Sequence, residues 1–306
     1  MVDPIADAGR RSVMIAPEAM VASSQPLAVQ VGIDILKKGG TAVDAAIAVD
    51  AMLGLVEPMS CGLGGDLFAT VWDEGAKDLV GLNGSGHSPY ALTREVFAKK
   101  GLDRIPIRGV LSWSVPGCVD GWFTLHERFG RIPIHDLLAP TIHYAERGFP
   151  VSPVIARMWG SAADLLQRDR SASTTFLSHG RPPRKGGLFS NPALAESLRF
   201  IAEGGRDAFY RGPIAEKIVS ASDKLNGYLA LTDLADHRST WVEPVSVPYR
   251  GYDVWELPPN TQGTSVLEML RIIEGFDLAG MGHNSDAYIH HVVEAKKLAY
   301  ADRARF

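Results

Sequence analysis

The chain has 306 residues, of which 46% are hydrophobic and 22% are charged. This balance is typical of a folded globular protein and excludes a disordered, fibrous or membrane-spanning chain. The formal net charge of −4 argues against a nucleic-acid-binding surface, which needs a concentrated excess of Lys and Arg.

The N-terminal region and the cysteines bear on where the protein resides. Residues 1–11 contain no apolar segment of the kind found in secretion signals, so we expect a cytoplasmic protein, or a periplasmic or secreted one if a signal peptide has been removed. The longest apolar stretch, residues 42–56, is too short to span a bilayer, and we expect no membrane association. Cys61 and Cys118 belong to no CxxC pair, and no disulfide is expected.

The first predicted elements are a tail, a strand and a helix. Residues 1–17 lack hydrophobic periodicity and are expected to form a flexible N-terminal segment. Residues 20–22 predict a short strand. Ser24 before Pro26 predicts an N-cap, and the helix that follows should end at the glycine pair of residues 39–40.

A buried helix and a hairpin follow. Thr41 is predicted to cap the next helix, with Asp44 at its third position. This helix is apolar nearly all round, so it must be covered on several sides, which favours a layered architecture. Residues 67–72 and 79–82 are β-rich runs on either side of a polar turn, and they predict a hairpin.

The rest of the chain alternates between helical patterns and loops. Residues 160–192, which include Arg168, Arg170, Arg181, Arg184 and Lys185, are predicted to form a solvated loop. Residues 252–257 predict a strand, and a helix should begin at Thr264 or Ser265. Further helices are predicted over residues 117–129, 134–147, 192–202 and 213–221.

Three polar motifs are candidates for ligand-binding or metal-binding sites. Residues 61–66 are rich in glycine but precede a strand, so close backbone approach is favoured over phosphate binding. Residues 258–265 form a polar turn that either binds an anion or simply caps a helix. His290, His291 and Glu294 have helical spacing but complete no zinc motif, so no metal is expected.

A family resemblance is carried by several motifs in order along the chain. They are Gly39-Gly40-Thr41-Ala42-Val43-Asp44, Leu63-Gly64-Gly65, Pro116-Gly117-Cys118-Val119-Asp120-Gly121-Trp122, Ala208-Phe209-Tyr210-Arg211-Gly212, Tyr249-Arg250-Gly251-Tyr252-Asp253-Val254 and Glu294-Ala295-Lys296-Lys297-Leu298-Ala299-Tyr300-Ala301-Asp302-Arg303. Together they resemble the large subunit of the gamma-glutamyltranspeptidase family of N-terminal-nucleophile hydrolases.

The resemblance implies a fold and a partner. The fold would be α+β, a four-layer αββα sandwich, to which residues 18–306 would contribute the large-subunit part of a single domain. A precursor would cut itself and release a small subunit that begins with the nucleophilic threonine. Its hydroxyl would attack an amide while its own amine acts as base, without a cofactor. This chain would then contain no catalytic residue.

The resemblance also points to a substrate-binding turn. In true transpeptidases an arginine pairs with the α-carboxylate of the γ-glutamyl group, and the matching position here is Ser85. The turn resembles the branch of the family that includes acylases and amidohydrolases. Asn83, Ser85 and His87 are therefore the predicted substrate-binding residues, with a purely structural turn as the competing interpretation.

Three functions remain open at this stage. The first is the large subunit of a transpeptidase-like amidohydrolase or acyltransferase that cleaves a small-molecule amide. The second is a true glutathione hydrolase and gamma-glutamyl transferase in which Arg94, Arg104 or a small-subunit cation replaces the missing arginine. The third is a catalytically silent binding or assembly partner.

Overall fold

The computed structural model describes residues 13–305, so most of the predicted flexible segment, residues 1–12, lies outside the described part. The elements in chain order are α1 (Pro26–Lys37), α2 (Ala42–Val56), β1 (Leu67–Asp73), β2 (Asp78–Gly84), α3 (Arg94–Lys99), α4 (Cys118–Phe129), α5 (Ile134–Arg147), β3 (Phe149–Pro150), α6 (Pro153–Ser161), α7 (Ala163–Gln167), α8 (Arg170–Phe176), β4 (Leu188–Phe189), α9 (Pro192–Tyr210), α10 (Pro213–Lys224), α11 (Leu231–Asp236), β5 (Thr240–Val242), β6 (Val245–Tyr249), β7 (Tyr252–Glu256), α12 (Gly263–Ile273) and α13 (Asp286–Arg305).

The chain divides into two compact units, and each is described by itself. Of the described residues, one unit comprises 13–62 and 126–205, and the other comprises 63–125 and 206–305. Both contain helices and short antiparallel strands, so the predicted α+β class is confirmed. In the described part of the chain, every helix is too short or too polar to cross a lipid bilayer.

The first unit is organised around the capped helix α2. Thr41 Oγ1 accepts a hydrogen bond from Asp44 N at 3.1 Å, and Asp44 Oδ2 accepts one from Thr41 N at 2.8 Å, which confirms the predicted capping box. The same carboxylate also accepts backbone N–H groups from Arg131 and Ile132. The Asp44 side chain is fully buried because these donors replace water around it.

Two predictions near the start of this unit are wrong. Residues 20–22 form no strand, and Val21 instead packs its methyl groups against Gly32 of α1. Ser24 is not the N-cap of α1, because its hydroxyl donates to Glu57 Oε2 at 2.7 Å and Gln25 occupies the cap position. In both cases a tertiary contact replaces the local motif that the sequence suggests.

The predicted loop over residues 160–192 is largely helical, since α7 and α8 lie within it. Aromatic side chains of the segment pack against α6: Trp159 contacts Phe189 and Phe176 at ring-centroid distances of 4.7 and 6.2 Å. The basic side chains are exposed, as predicted. The prediction of a loop rested on these charges and gave too little weight to the aromatic residues around them.

The second unit contains a three-stranded antiparallel sheet in the order β1-β2-β5. β1 and β2 form the predicted hairpin, with Leu67 opposite Gly84 at one end and Asp73 opposite Asp78 at the other. Side chains alternate along β1, so that Phe68 and Trp72 share the more exposed face of the sheet.

The C-terminal part of this unit is a hairpin with two helices. β6 pairs with β7, and α12 and α13 pack together around Ile273, Leu278 and Ala295. β7 ends at Glu256 and α12 begins at Gly263, within one residue of the predicted boundaries. The polar turn between β7 and α12 reaches the predicted substrate-binding residues.

Candidate functional site

The turn that follows β2 carries the predicted substrate-binding residues. Ser85 N donates to Asn83 Oδ1 at 3.0 Å, and Asn83 Nδ2 donates to Asn260 Oδ1 at 2.8 Å. Asn260 Nδ2 in turn donates to Ser85 Oγ at 2.8 Å. Hydrogen bonds through Asn260 therefore connect Asn83 with Ser85. Asn260 was not among the predicted site residues. Its only signal was membership of the polar turn before α12.

His87 points away from this cluster. Its Nδ1 donates to Ser88 O at 2.7 Å, and its ring stacks on Tyr90 with the centroids 4.8 Å apart. The buried Nε2 atom has no hydrogen-bond partner among residues 13–305. The ring of His237 also lies close, with its centroid 6.4 Å away. The three predicted residues thus form two groups, with Asn83 and Ser85 in one and His87 in the other.

The charged group beside the turn is a carboxylate. Gly86 N donates to Asp66 Oδ1 at 3.2 Å. In the part of the chain that the structure describes, no lysine or arginine donates to Asn83, Ser85 or Asn260. The glycine-rich segment thus brings a negative charge to the place where a cation would be needed to bind a carboxylate.

A cavity of about 560 Å³ lies beside Asn260, a size that suits a small-molecule ligand. Asp66 and Glu256 contribute carboxylates to its wall, Phe68 contributes an aromatic surface, and Asn260 contributes its amide. Within the described residues, neither lysine nor arginine lines it. The cavity favours neutral or positively charged groups over anions.

Glycines allow the turn to pack closely on the segment that precedes α4. A Cβ atom on Gly117 would lie 1.8 Å from Gly84 O, and one on Gly86 would lie 1.5 Å from Val115 O. Val115 N donates to His87 O at 3.0 Å across the same contact. Only glycine permits this approach, so these glycines fix the turn in position.

A second backbone contact joins the glycine-rich segment to the start of α4. Gly117 N and Cys118 N both donate to Gly65 O at 2.9 Å. These bonds bring residues 61–66 against the start of α4, but Cβ atoms added to Gly62 and Gly64 would meet no atom within 4 Å, so the predicted close approach is not seen at those two glycines. The contact at Gly65 also places Asp66, the next residue, beside the turn.

A buried ion pair supports this arrangement. Asp120 and Arg206 have side chains that are only 2% and 17% exposed, and Arg206 Nε donates to Asp120 Oδ1. Asp120 Oδ2 accepts from Ser239 N at 2.5 Å, and the Arg206 guanidinium also donates to His237 O. Burial alone would raise the pKa of Asp120, but the hydrogen bonds from Arg206 and Ser239 hold this pKa below its ordinary value.

Tyr210 connects the ion pair to the turn. Its hydroxyl donates to Pro116 O at 2.7 Å and accepts from Asp120 N at 3.0 Å, while the Arg206 guanidinium lies 4.3 Å from its ring centroid. Burial raises the pKa of Tyr210, so the hydroxyl stays protonated and able to donate. Two motifs of the family resemblance, around Asp120 and Tyr210, are thus parts of one support.

His237 is buried within the same support. Its ring stacks on Tyr210 with the centroids 5.6 Å apart, and its Nε2 atom is buried without a hydrogen-bond partner among the described residues. Burial lowers the pKa of His237. The neutral imidazole is therefore the form that the native structure favours.

The remaining polar motifs have local partners. Glu294 pairs with Lys297 at 2.6 Å, and His291 Nδ1 donates to Ala287 O at 2.8 Å. Within residues 13–305, no group of three His, Cys, Asp or Glu residues is arranged to hold a metal ion. In the turn before α12, Thr261 Oγ1 accepts from Gly263 N at 3.3 Å, while Gln262 at the N-cap makes no side-chain capping bond.

The family of the chain is identified by comparison with known proteins. A family model described as Gamma-glutamyltranspeptidase matches residues 28–306. The chain belongs to the gamma-glutamyltranspeptidase family. The resemblance drawn from the sequence motifs is therefore confirmed.

Individual relatives agree with the family assignment. The chain is 42% identical to the glutathione hydrolase-like YwrD proenzyme of Bacillus subtilis over 95% of its own length and 55% of that protein's. Solved structures match it as well, among them the two that follow. Helicobacter pylori gamma-glutamyltranspeptidase has a TM-score of 0.89 at 30% identity, with 95% of this chain and 85% of the other covered. Cephalosporin acylase from Bacillus halodurans has a TM-score of 0.84 at 42% identity, with 94% and 57% covered.

The comparisons identify the type of fold and show how much of its relatives' length the chain covers. The neighbours are transpeptidase-family structures, so the fold is that of the N-terminal-nucleophile hydrolase type. The chain spans about half the length of the curated relatives that it matches. A match to an acylase structure at 42% identity is consistent with the predicted acylase and amidohydrolase branch.

Replacing Asp120 by asparagine should destabilise the protein, because Arg206 would keep a buried charge without its counter-ion. The expected loss in the free energy of unfolding is about 3–5 kcal/mol. Asp207→Asn is the matched control, since Asp207 contacts the same guanidinium at 3.4 Å but is 69% exposed. Urea unfolding at pH 7 measures both variants. Equal, small losses would show that the buried pair does not support the turn.

The lowered pKa of His237 predicts a pH dependence of stability. As the pH falls below about 6.5, the unfolded state takes up a proton on this imidazole before the native state does, so stability declines. Replacing His237 by glutamine should reduce the slope of unfolding free energy between pH 7.5 and 5.5. Replacing the exposed His283 by glutamine should leave the slope unchanged. An unaltered slope in the His237 variant would contradict the assignment.

Proposed function

We propose that this chain is the large subunit of a transpeptidase-like amidohydrolase or acyltransferase. Its partner is a small subunit, derived from the same precursor, that begins with a nucleophilic threonine. The proposal is supported by family membership and by relatives named as proenzymes of which the chain spans about half. On this proposal residues 18–306 form the large-subunit part of a domain that the small subunit completes.

The exposed face of the β1-β2-β5 sheet is consistent with such a partner. Phe68 and Trp72 are 40% and 56% exposed on that face, on either side of Thr70. Among the described strands β1 pairs only with β2, so its other edge is unpaired. An apolar face beside an unpaired edge is normally covered in a finished protein. The small subunit is the proposed cover.

The reaction proposed is acyl transfer through a covalent intermediate. The threonine oxygen attacks the amide carbonyl carbon, and the threonine amine accepts the hydroxyl proton. The C–N bond then breaks, the amine product leaves with a proton, and an ester to threonine remains. Water or an acceptor amine attacks this ester and regenerates the hydroxyl. The proposed task of this chain is to hold the acyl group, which needs no cofactor.

The proposed substrate class rests on the neutral side chains of the turn beside Asp66. A γ-glutamyl donor has an α-carboxylate, and loss of a cationic partner from a desolvated carboxylate costs about 2–5 kcal/mol in binding. Ser85 and Asn260 are hydrogen-bonded to each other and can offer a substrate only neutral groups, while the carboxylate of Asp66 would repel an anion. We therefore propose amides with neutral or positively charged acyl groups as substrates, bound by Asn83 and Ser85 with Asn260.

His87 has a different proposed role in the site. Its Nδ1 is committed to Ser88 O, which leaves Nε2 as the atom able to accept a hydrogen bond from a substrate. This atom is buried in the present structure, so contact with a substrate would need the ring to turn. Asn83 and Ser85 are therefore the stronger candidates for direct contact.

Glutathione hydrolysis is the second candidate, because a relative at 34% identity is the glutathione hydrolase proenzyme of Escherichia coli. It requires a cation from outside the described turn to neutralise the α-carboxylate. The two candidates predict opposite preferences between acyl groups. A kinetic comparison separates them, and an inactive processed protein would favour the silent assembly partner.

The test compares kcat/KM for a γ-glutamyl anilide with that for uncharged acyl anilides, using the enzyme matured from its full precursor. The wild type should prefer uncharged acyl groups by about tenfold or more, and Ser85→Arg should raise kcat/KM for the γ-glutamyl anilide by about tenfold, which corresponds to one charge-assisted hydrogen bond. Asp66→Asn should change the preference in the same direction by removing the repulsion.

Ser85→Ala is the matched control, since it removes the hydroxyl without adding charge. It should lower kcat/KM for both kinds of anilide to a similar extent. Wild-type preference for the γ-glutamyl anilide, unaffected by Ser85→Arg, would contradict the proposed substrate class and favour glutathione hydrolysis.

A further inference from the structure

A second, larger cavity lies in the same unit as the turn, formed by the chain between residues 88 and 114. Its volume is about 630 Å³, which falls within the usual range of ligand pockets. Asn83, Ser85 and His87 do not line it, but Ser88, the next residue of the turn, does. The walls are mainly apolar and come from Leu92, Phe97, Leu102, Ile105, Leu111 and Trp113.

The charged groups of this cavity are Arg94, Arg104 and Asp103. Arg104 Nε lies 3.4 Å from Asp103 Oδ1, and both side chains are more than 80% exposed, so they form a weak surface pair. Arg94 is exposed and interacts electrostatically with Glu95, its neighbour in sequence. An exposed guanidinium beside apolar walls complements a ligand with one anionic group and an apolar body.

The structure places both arginines that were considered as substitutes for the missing cation on this one cavity. The cavity is nevertheless poorly suited to a γ-glutamyl group, whose α-ammonium needs an acceptor. Among the described residues, the one carboxylate in the wall is Asp103, and the guanidinium of Arg104 beside it would compete with an ammonium group for it. The apolar walls would gain nothing from the polar backbone of such a ligand.

We infer that this cavity binds an apolar monocarboxylate, such as a medium-chain aliphatic acid. The carboxylate pairs with Arg94, and the hydrocarbon chain lies against Phe97, Leu111 and Trp113. The inference is separate from the proposed acyl transfer, since binding of this ligand requires no catalytic step. It assigns a site of defined chemistry beside the turn, connected to it through Ser88.

The ligand chemistry predicts a dependence on chain length and on charge. Each methylene group buried against the walls should tighten binding about three- to fourfold until the cavity is filled. Hexanoate, octanoate and decanoate should therefore bind with increasing affinity. Decylamine, of the same length but opposite charge, should bind at least tenfold more weakly than decanoate.

Isothermal titration of the matured protein with these compounds, below their micellar concentrations, tests the inference without reference to turnover. Arg94→Gln should weaken decanoate about tenfold and leave decanol unaffected. Lys99→Gln is the matched control, because Lys99 is exposed on the same helix, α3, and does not line the cavity. Its affinity for decanoate should equal that of the wild type.

Any one of three results with these compounds and variants would overturn the inference. They are no binding of decanoate, binding that ignores chain length or charge, and equal effects of Arg94→Gln and Lys99→Gln. Preferential binding of L-glutamate would also overturn it and would identify the cavity as an amino-acid site. Because the readout is binding, a failure here leaves the kinetic test of acyl-group preference intact, and the reverse is also true.

Discussion

The buried pair of Asp120 and Arg206 is the interaction on which the candidate site depends. Asp120 also accepts the backbone N–H of Ser239, and Arg206 also donates to His237 O, so one ion pair links three segments distant in sequence. Tyr210 extends the support to Pro116 O. The segment held in this way packs directly against the turn that carries Ser85. A change in the pair should therefore alter the position of the turn as well as stability.

The chemical groups available at the turn depend on which side chains the ion pair and its partners hold in place. The guanidinium of Arg206 is mostly buried and already bound to Asp120 and to His237 O, so it is not free to bind a substrate. The group that reaches the turn from the glycine-rich segment is Asp66, which is negative. Hydroxyl, amide and carboxylate groups are therefore available to a substrate there. Such a set suits hydrogen bonding to neutral acyl groups better than pairing with a carboxylate.

Local signals in the sequence were sufficient for much of the fold. The capping box of Thr41 and Asp44, the β1-β2 hairpin and the bounds of α5 were predicted from spacing and turn residues alone. The long-range contacts of the site were not. Asn260 lies 177 residues from Asn83, and Arg206 lies 86 residues from Asp120. Periodicity describes which face of one element is buried, but it does not identify partners on another element. The same limit explains Ser24, whose partner Glu57 competes with a local cap.

The central claim is that this chain is completed by a second chain that carries the nucleophile. Its most direct test is to express the whole precursor and determine the intact mass and N-terminal sequence of every chain that co-purifies with residues 18–306. The account predicts a smaller chain that begins with threonine, in equal amount with this one. An uncut precursor that is fully active, or a partner chain beginning with a residue that has no nucleophilic side chain, would contradict it.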